Sequence, residues 1–216
     1  MAGPFPTLLG IPYDAASSLL TSAHLAPPAI RQARRSPAGN NWSEALIDPG
    51  APGALEDAGD LALAQDDSAR PAIEAAIRRL ALAGRCPISL GGDHSVTFPI
   101  LSGLRPSWAS LHVVHIDAHP DLYDEFEGNR FSHACPFARI LEQGLADSVT
   151  QVGIRATAGH QHTQAERFGV ERIDMRAWSR GQRPSLRGPL YLCRLTSTPS
   201  IPHLPRASLA PRAGGP

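Results

Sequence analysis

Lysine is absent from this 216-residue sequence, so arginine supplies all 20 of its basic side chains. An equal number of acidic residues gives a formal net charge of +0, which offers no positive field to attract nucleic acid or an anionic membrane. Long apolar runs are also missing, because no segment approaches the roughly 20 apolar residues of a membrane helix. The first residues, MAGPFPTLLGIPYD, lack the basic and apolar regions of a secretion signal. We therefore expect a cytoplasmic protein whose partner is a small molecule or another protein.

Cysteine is scarce and occurs only at Cys86, Cys135 and Cys193. The number is odd, and the spacing fits neither a disulfide framework nor a metal-binding pair. We expect three reduced thiols.

Acidic residues end at Asp174. From Met175 onward the chain contains seven arginines and no Asp or Glu, and residues 193–216 include five prolines. This segment has no amphipathic period of either kind. We predict one domain over residues 1–192, followed by an aberrant, disordered tail over residues 193–216.

The pattern of the first 192 residues predicts an α/β fold. An apolar content of 42% can form one sizeable core in a chain of this length. Proline at the start and helical spacing predict helices at Pro27–Arg35 and Pro71–Arg85. The segment Ser36–Glu56, rich in Pro, Gly and Asn, predicts a loop. Short apolar runs predict strands at Pro6–Gly10, Pro87–Leu90, Leu111–Ile116, Val149–Ile154, Val170–Met175 and Leu190–Leu192. Alternating strands and helices favour a mostly parallel sheet in a three-layer αβα arrangement.

Two polar clusters directly follow predicted strands. Asp117, His119 and Asp121 alternate after Leu111–Ile116, and an extended chain would place all three on one side. Gly91-Gly92-Asp93-His94 follows the strand ending at Leu90. Ligands bind at the carboxyl ends of strands in parallel α/β sheets, so both clusters lie where a site is expected.

If these two strands are neighbours, His94 can meet Asp117 and Asp121 around one ion, while Asp117 bridges to a second ion held by His119. Mixed carboxylate and imidazole ligands suit a first-row divalent metal such as manganese, and a pair of such ions activates water for hydrolysis. The alternative for DAHPD is a capped turn, but two acids crowded together without a cation would repel each other. The remaining histidines receive no role. His115 lies two residues before Asp117, on the same side of the strand, and would at most support the ligands.

The segments LGGDHS, HIDAHPDLYDEFEGNRFSHACPFARI and VTQVGIR resemble those of the ureohydrolase family, which includes arginase, agmatinase and formimidoylglutamase. The resemblance implies an arginase-like fold, with His94, Asp117, His119 and Asp121 as manganese ligands. It also implies that Asp117 bridges two ions, that Asp121 helps to orient the attacking water, and that His133 shuttles protons. Members of the family form trimers or hexamers, which implies a homo-oligomer.

The implied reaction is hydrolysis of a guanidino compound to urea and an amine. Agmatine is slightly favoured over arginine, and formimidoylglutamate remains an alternative. An acidic stretch at Asp124, Glu125 and Glu127 would suit a cationic substrate, although such loops are more often solvated surface. Two other hypotheses are a truncated, inactive relative that binds one metal weakly or modulates intact subunits, and a deacetylase-type metal hydrolase. The combination of GGDH, DAHPD and SHA argues against the last.

The family's third metal motif, a serine followed by two aspartates in D-x-D spacing and then Asp-Pro, is missing. The chain from Cys193 to His203 contains no acid. One set of legal codons for this segment, read two bases later, encodes SLDLDALDPA, which is that motif. We chose the codons, so the match establishes only that a frameshift near the Leu192 codon can account for the tail.

The frameshift hypothesis predicts the nucleotide sequence around the Leu192 codon. We expect an insertion or deletion of one or two bases there, after which the second frame encodes two aspartates in D-x-D spacing. Sequencing the gene checks this. An in-frame gene with quite different codons from Cys193 onward would contradict the hypothesis.

Overall fold

The computed structural model describes residues 4–18, 21–40, 42–184 and the backbone of Tyr191–Leu195. Strands and helices alternate along most of this part of the chain. The strands are β1 Phe5–Ile11, β2 Glu56–Asp60, β3 Arg85–Gly91, β4 His112–Ile116, β5 Ser148–Ile154, β6 Glu171–Asp174 and β7 Tyr191–Leu195. The helices are α1 Ala26–Arg34, α2 Ala69–Leu82, α3 Thr97–Leu104, α4 Pro136–Glu142, α5 Gly159–Arg167 and α6 Met175–Ser179.

All the strand pairs are parallel, as predicted, but the strands form two sheets among the described residues. The first has the order β2-β1-β3, and the second has the order β6-β5-β4-β7. Parallel strands require helical crossovers, which place helices on the sheet faces. The α/β class is therefore confirmed.

One apolar core extends through both sheets. A single cluster of buried side chains includes Ile11 of β1, Ile77 of α2, Leu101 of α3 and Val113 of β4. A smaller cluster on the second sheet joins Val114, Val152 and Ile173, with Trp178 of α6 packed against it. Because successive strand residues face opposite sides, Val113 and Val114 lie in different clusters. The second sheet is thus covered on both faces, which gives the three layers.

Most predicted elements occur with shifted ends. The second predicted helix, Pro71–Arg85, begins at Ala69 and ends at Leu82, because Gly84 adopts a left-handed φ of 72° and the next strand already begins at Arg85. The predicted strand Val170–Met175 is shorter, since Met175 starts helix α6 after the Asp174 cap.

Strand β2 was not predicted, because none of its residues, EDAGD, is apolar enough to signal a strand. All five are exposed, and the strand is held by backbone pairing to β1. Arg31 of α1 forms ion pairs with Asp57 and Asp60, so the acids of this edge strand are partly neutralised.

The metal site was predicted on the assumption that the strands before His94 and Asp117 are neighbours in one sheet. The structure differs, because β3 and β4 belong to different sheets. The loops after these strands nevertheless converge, as described below.

The domain boundary expected after residue 192 lies within β7, which continues to Leu195. Residues 196–216 of the expected tail lie outside the described part of the chain, so the boundary stays a prediction. Among the described helices, none combines the length and apolar character required to cross a membrane.

The crossing of α2 and α3 predicts that Gly103→Ala destabilises the fold. A Cβ on Gly103 would lie 2.6 Å from the Glu74 carbonyl oxygen and 2.9 Å from Ile77 Cβ, so the helices would have to separate. We expect a loss of about 1–3 kcal/mol in the free energy of unfolding, measured by denaturant titration.

The matched control is Gly159→Ala in the first turn of α5, where a Cβ would meet no atom within 4 Å. This change should be neutral or stabilise by roughly 0.4–1 kcal/mol. Equal effects of the two substitutions would show that the α2–α3 contact is not tight.

Candidate metal centre

Four buried polar side chains meet where β3 and β4 end. They are His94, His115, Asp117 and Asp121, and one ligand atom from each lies within 4.8 Å of those of the other three. None of these four residues is more than 8% exposed as a whole. Three of them were predicted as ligands, whereas His115 was given no more than a supporting role.

His94 is positioned by the sharp turn that follows β3. Asp93 caps a single 3-10 turn that starts at His94, and its carboxylate accepts a hydrogen bond of 2.9 Å from the Ser95 backbone N–H. Gly92 passes so close to the loop after β1 that a Cβ would lie 1.7 Å from the Tyr13 carbonyl oxygen. Gly92 is therefore required for the close backbone approach that the sequence predicts for this turn.

Asp117 lies among three histidines, His94, His115 and His119. Its Oδ2 is 3.8 Å from His94 Nδ1, and its Oδ1 is 3.5 Å from His119 Nδ1. The His119 backbone N–H also donates to Asp117 Oδ1 at 3.0 Å. The two carboxylate oxygens thus face different imidazoles, which is the arrangement that a bridging carboxylate needs.

Asp121 completes the cluster through an unusual backbone conformation. Its φ of 47° is left-handed, and its carboxylate is hydrogen-bonded to His94 Nδ1. Strand β4 ends at Ile116, so the chain does not continue as the extended alternation assumed in the sequence analysis. His119 is 44% exposed and stays outside the buried quartet, although it contacts Asp117.

The electrostatics of the quartet indicate a place for a cation. Burial raises the pKa of Asp121 to about 7. Burial acts in the same direction on Asp117, but contacts with His115 and His119 outweigh it and lower the pKa of that carboxyl. Burial lowers the pKa of His115 to about 4, so this ring is neutral at pH 7. Two buried carboxyls that have no arginine partner among the described residues fit a divalent ion, and the mixed oxygen and nitrogen donors suit a first-row metal.

His133, the expected proton shuttle, lies at the edge of this site. Its Nδ1 is 2.8 Å from the Ala16 carbonyl oxygen, which can only accept a hydrogen bond. In the neutral ring Nδ1 therefore carries the proton, and Nε2 is left as a proton acceptor. Its catalytic role, like the four ligand assignments, remains a prediction.

Asp93 is a site residue that the sequence analysis passed over within the GGDH motif. It is 7% exposed, and its Oδ2 accepts from the Ala16 backbone N–H at 3.1 Å and from Ser17 Oγ at 3.3 Å. Since Ala16 holds the His133 ring, Asp93 links the turn of His94 to the expected shuttle. Its place beside His94 was the only available signal.

One acid of the stretch after Asp121, Asp124, is engaged in ion pairs. Asp124 lies 2.6 Å from Arg139 Nη2 and 2.9 Å from Arg130 Nη1. Its charge is therefore neutralised, and the structure favours the surface interpretation of Asp124 over a contact with a cationic substrate.

The comparisons with known proteins agree with this geometry. A model of the arginase family matches residues 6–186. The chain belongs to the arginase family.

Relatives of the arginase family extend well beyond the matched region. Mitochondrial arginase 1 of Oryza sativa subsp. indica is 36% identical over 182 residues, which cover 80% of this chain and 54% of that protein. The N(1)-aminopropylagmatine ureohydrolase of Thermus thermophilus is 37% identical over 171 residues, or 76% and 55% of the two chains. The arginase structure from Medicago truncatula superposes with a TM-score of 0.76 at 35% identity, covering 82% of this chain and 58% of that one. The fold is arginase-like, and the chain spans about half the length of these relatives.

The raised pKa of Asp121 predicts opposite effects of Asp121→Asn with and without metal. Its folded-state pKa exceeds that of an unfolded aspartate, so ionisation destabilises the fold increasingly from about pH 4 to about pH 7 and by a constant amount above. Asparagine removes that charge and tolerates the left-handed backbone. At pH 8 we expect an unchanged or higher Tm without metal, and no further rise on addition of Mn²⁺.

The control for this prediction is Asp66→Asn, a substitution of an exposed aspartate in the turn before α2. It should leave the rise in Tm with Mn²⁺ at the wild-type value. If Asp121→Asn also kept that rise, Asp121 would not be a ligand.

Proposed function

We propose that this chain is part of a manganese-dependent ureohydrolase that converts a guanidino compound, agmatine first, into urea and an amine. The observation that supports it is the buried cluster of two carboxylates and two imidazoles at the strand ends of an arginase-family chain. Manganese itself is inferred from the donor set and the family, since magnesium and calcium prefer sites made of oxygen alone.

The proposed ligands form two groups that share Asp117. His94, Asp117 and Asp121 would hold one ion, and Asp117 and His119 would hold the other. When bound, such ions supply Lewis acidity and make water a better nucleophile near neutral pH. His133 Nε2 is suited to accept or deliver the proton that the leaving amine requires.

The two proposed ions are not held equally by this chain. The first has three ligands from buried residues, whereas the second has one carboxylate shared with the first and one half-exposed imidazole. The acids that the family resemblance places after β7 are absent from the sequence, and both sites lose donors as a result. We therefore propose that the chain as printed has very slow or no turnover.

The loop after Asp121 resembles the branch that contains both agmatinases and plant-type arginases, and within that branch we place agmatine slightly ahead of arginine. Arginine is a second candidate, favoured by the arginases at about 36% identity. The two substrates differ by an α-carboxylate, so arginine needs additional hydrogen-bond donors beside the pocket.

Titration with Mn²⁺ tests the unequal sites. We expect one ion per chain with measurable affinity, lost in His94→Ala, and a second ion bound at least tenfold more weakly and lost in His119→Ala. Isothermal calorimetry or electron paramagnetic resonance measures both. Two tightly held ions per wild-type chain would contradict the proposal.

Urea release tests the reaction and the substrate together. A frame-restored protein, in which the second reading frame replaces the chain after Leu192, should release urea from agmatine faster than from arginine or guanidinobutyrate. The chain as printed is the matched control and should release little from any of them. Absence of urea from every guanidino compound with the restored, metal-loaded protein would overturn the proposed function.

A further inference from the structure

A fully buried glutamine lies behind the metal centre and belongs to no metal-binding motif. Gln151 is in the middle of β5, directly opposite His115 in the pairing with β4, and both side chains are 0% exposed. Its Nε2 lies 2.6 Å from the Pro120 carbonyl oxygen and 3.1 Å from His115 Nδ1. One amide group therefore contacts both the strand that carries Asp117 and the turn that carries Asp121.

These two contacts fix where the proton of His115 resides. The Pro120 carbonyl oxygen can only accept, so the amide nitrogen and not the amide oxygen of Gln151 must face it. That nitrogen has a second N–H, which donates to His115 Nδ1. Because Nδ1 accepts, the neutral ring carries its single proton on Nε2.

The protonated nitrogen of His115 faces a carboxylate. His115 Nε2 lies 3.5 Å from Asp117 Oδ2 and has no hydrogen-bond partner among the described residues. The ring is packed against Phe137, with 4.2 Å between centroids, so the imidazole cannot turn without disturbing the core. An Nε2–H aimed at Asp117 has no lone pair to offer a metal ion.

We propose that Gln151 and His115 are positioning residues: Gln151 sets the tautomer of His115, and His115 then orients Asp117 as a donor and does not bind the metal. Of the buried quartet, this leaves His94, Asp117 and Asp121 as ligands. The metal-binding half of this inference rests on the proposed function, whereas the tautomer does not.

The tautomer is measured first, on the complete metal-free chain. Long-range ¹H–¹⁵N correlation spectra distinguish a protonated ring nitrogen from an unprotonated one, and His115→Gln, which removes the ring, assigns the signals. We expect Nε2–H with unprotonated Nδ1 for His115. A wild-type Nδ1–H tautomer would overturn the inference whether or not the chain binds metal.

Mn²⁺ alone is the probe for the second half. Gln151→Leu should weaken Mn²⁺ binding about 10- to 100-fold, the range typical for residues that orient metal ligands. The matched control is Gln161→Leu, because Gln161 is a second buried glutamine whose Oε1 accepts from the Ala158 N–H at the start of α5. It should change Mn²⁺ affinity less than twofold. A folded Gln151→Leu variant with wild-type affinity would contradict the positioning role.

Gln151→Glu keeps the inference testable if the leucine variant does not fold. A glutamate carboxylate accepts from the imidazole, so the tautomer should invert to Nδ1–H, and the Mn²⁺ affinity should fall. Retention of Nε2–H in this variant would show that Gln151 does not control the ring. If the wild-type chain binds no Mn²⁺ at all, the proposed function fails, while the tautomer spectra still decide the role of Gln151.

Discussion

The site depends on two carboxyl groups that are buried together. Asp117 and Asp121 lie in one space with His94 between them, and neither has a buried lysine or arginine as a partner among the residues described. Burying charge without compensation is costly, so a fold retains such a pair only where something repays that cost. A divalent cation would do so with donors that are already in place at His94, Asp117 and Asp121.

The convergence of the loops replaces direct pairing of β3 with β4. Asp93 ties the loop after β3 to the loop after β1, and Gln151 ties the second sheet to the turn before Asp121. The site is thus assembled by side-chain and backbone hydrogen bonds between loops and not by pairing of β3 with β4.

The strands with apolar runs, and the polar residues that follow them, were predictable from the sequence. β4 and β5 were found within one residue, because buried parallel strands read as continuous apolar segments. Strand β2 was not predicted, because a polar edge strand contains no apolar run. The extended alternation assumed for Asp117, His119 and Asp121 does not continue beyond Ile116, where β4 ends, and strand alternation cannot anticipate a positive φ at Asp121. The role of His115 could not be predicted from its side of the strand alone, because its partner Gln151 lies on a separate strand 36 residues later.

The division of the sheet gives a bound cation a second effect. His94 follows a strand of the first sheet, whereas Asp117 and Asp121 follow a strand of the second. An ion shared among them would act as a reversible cross-link between the two sheets, in addition to the apolar core that extends through both. Because such an ion would bind only the assembled site, the stability of that link would depend on the free metal concentration around the protein.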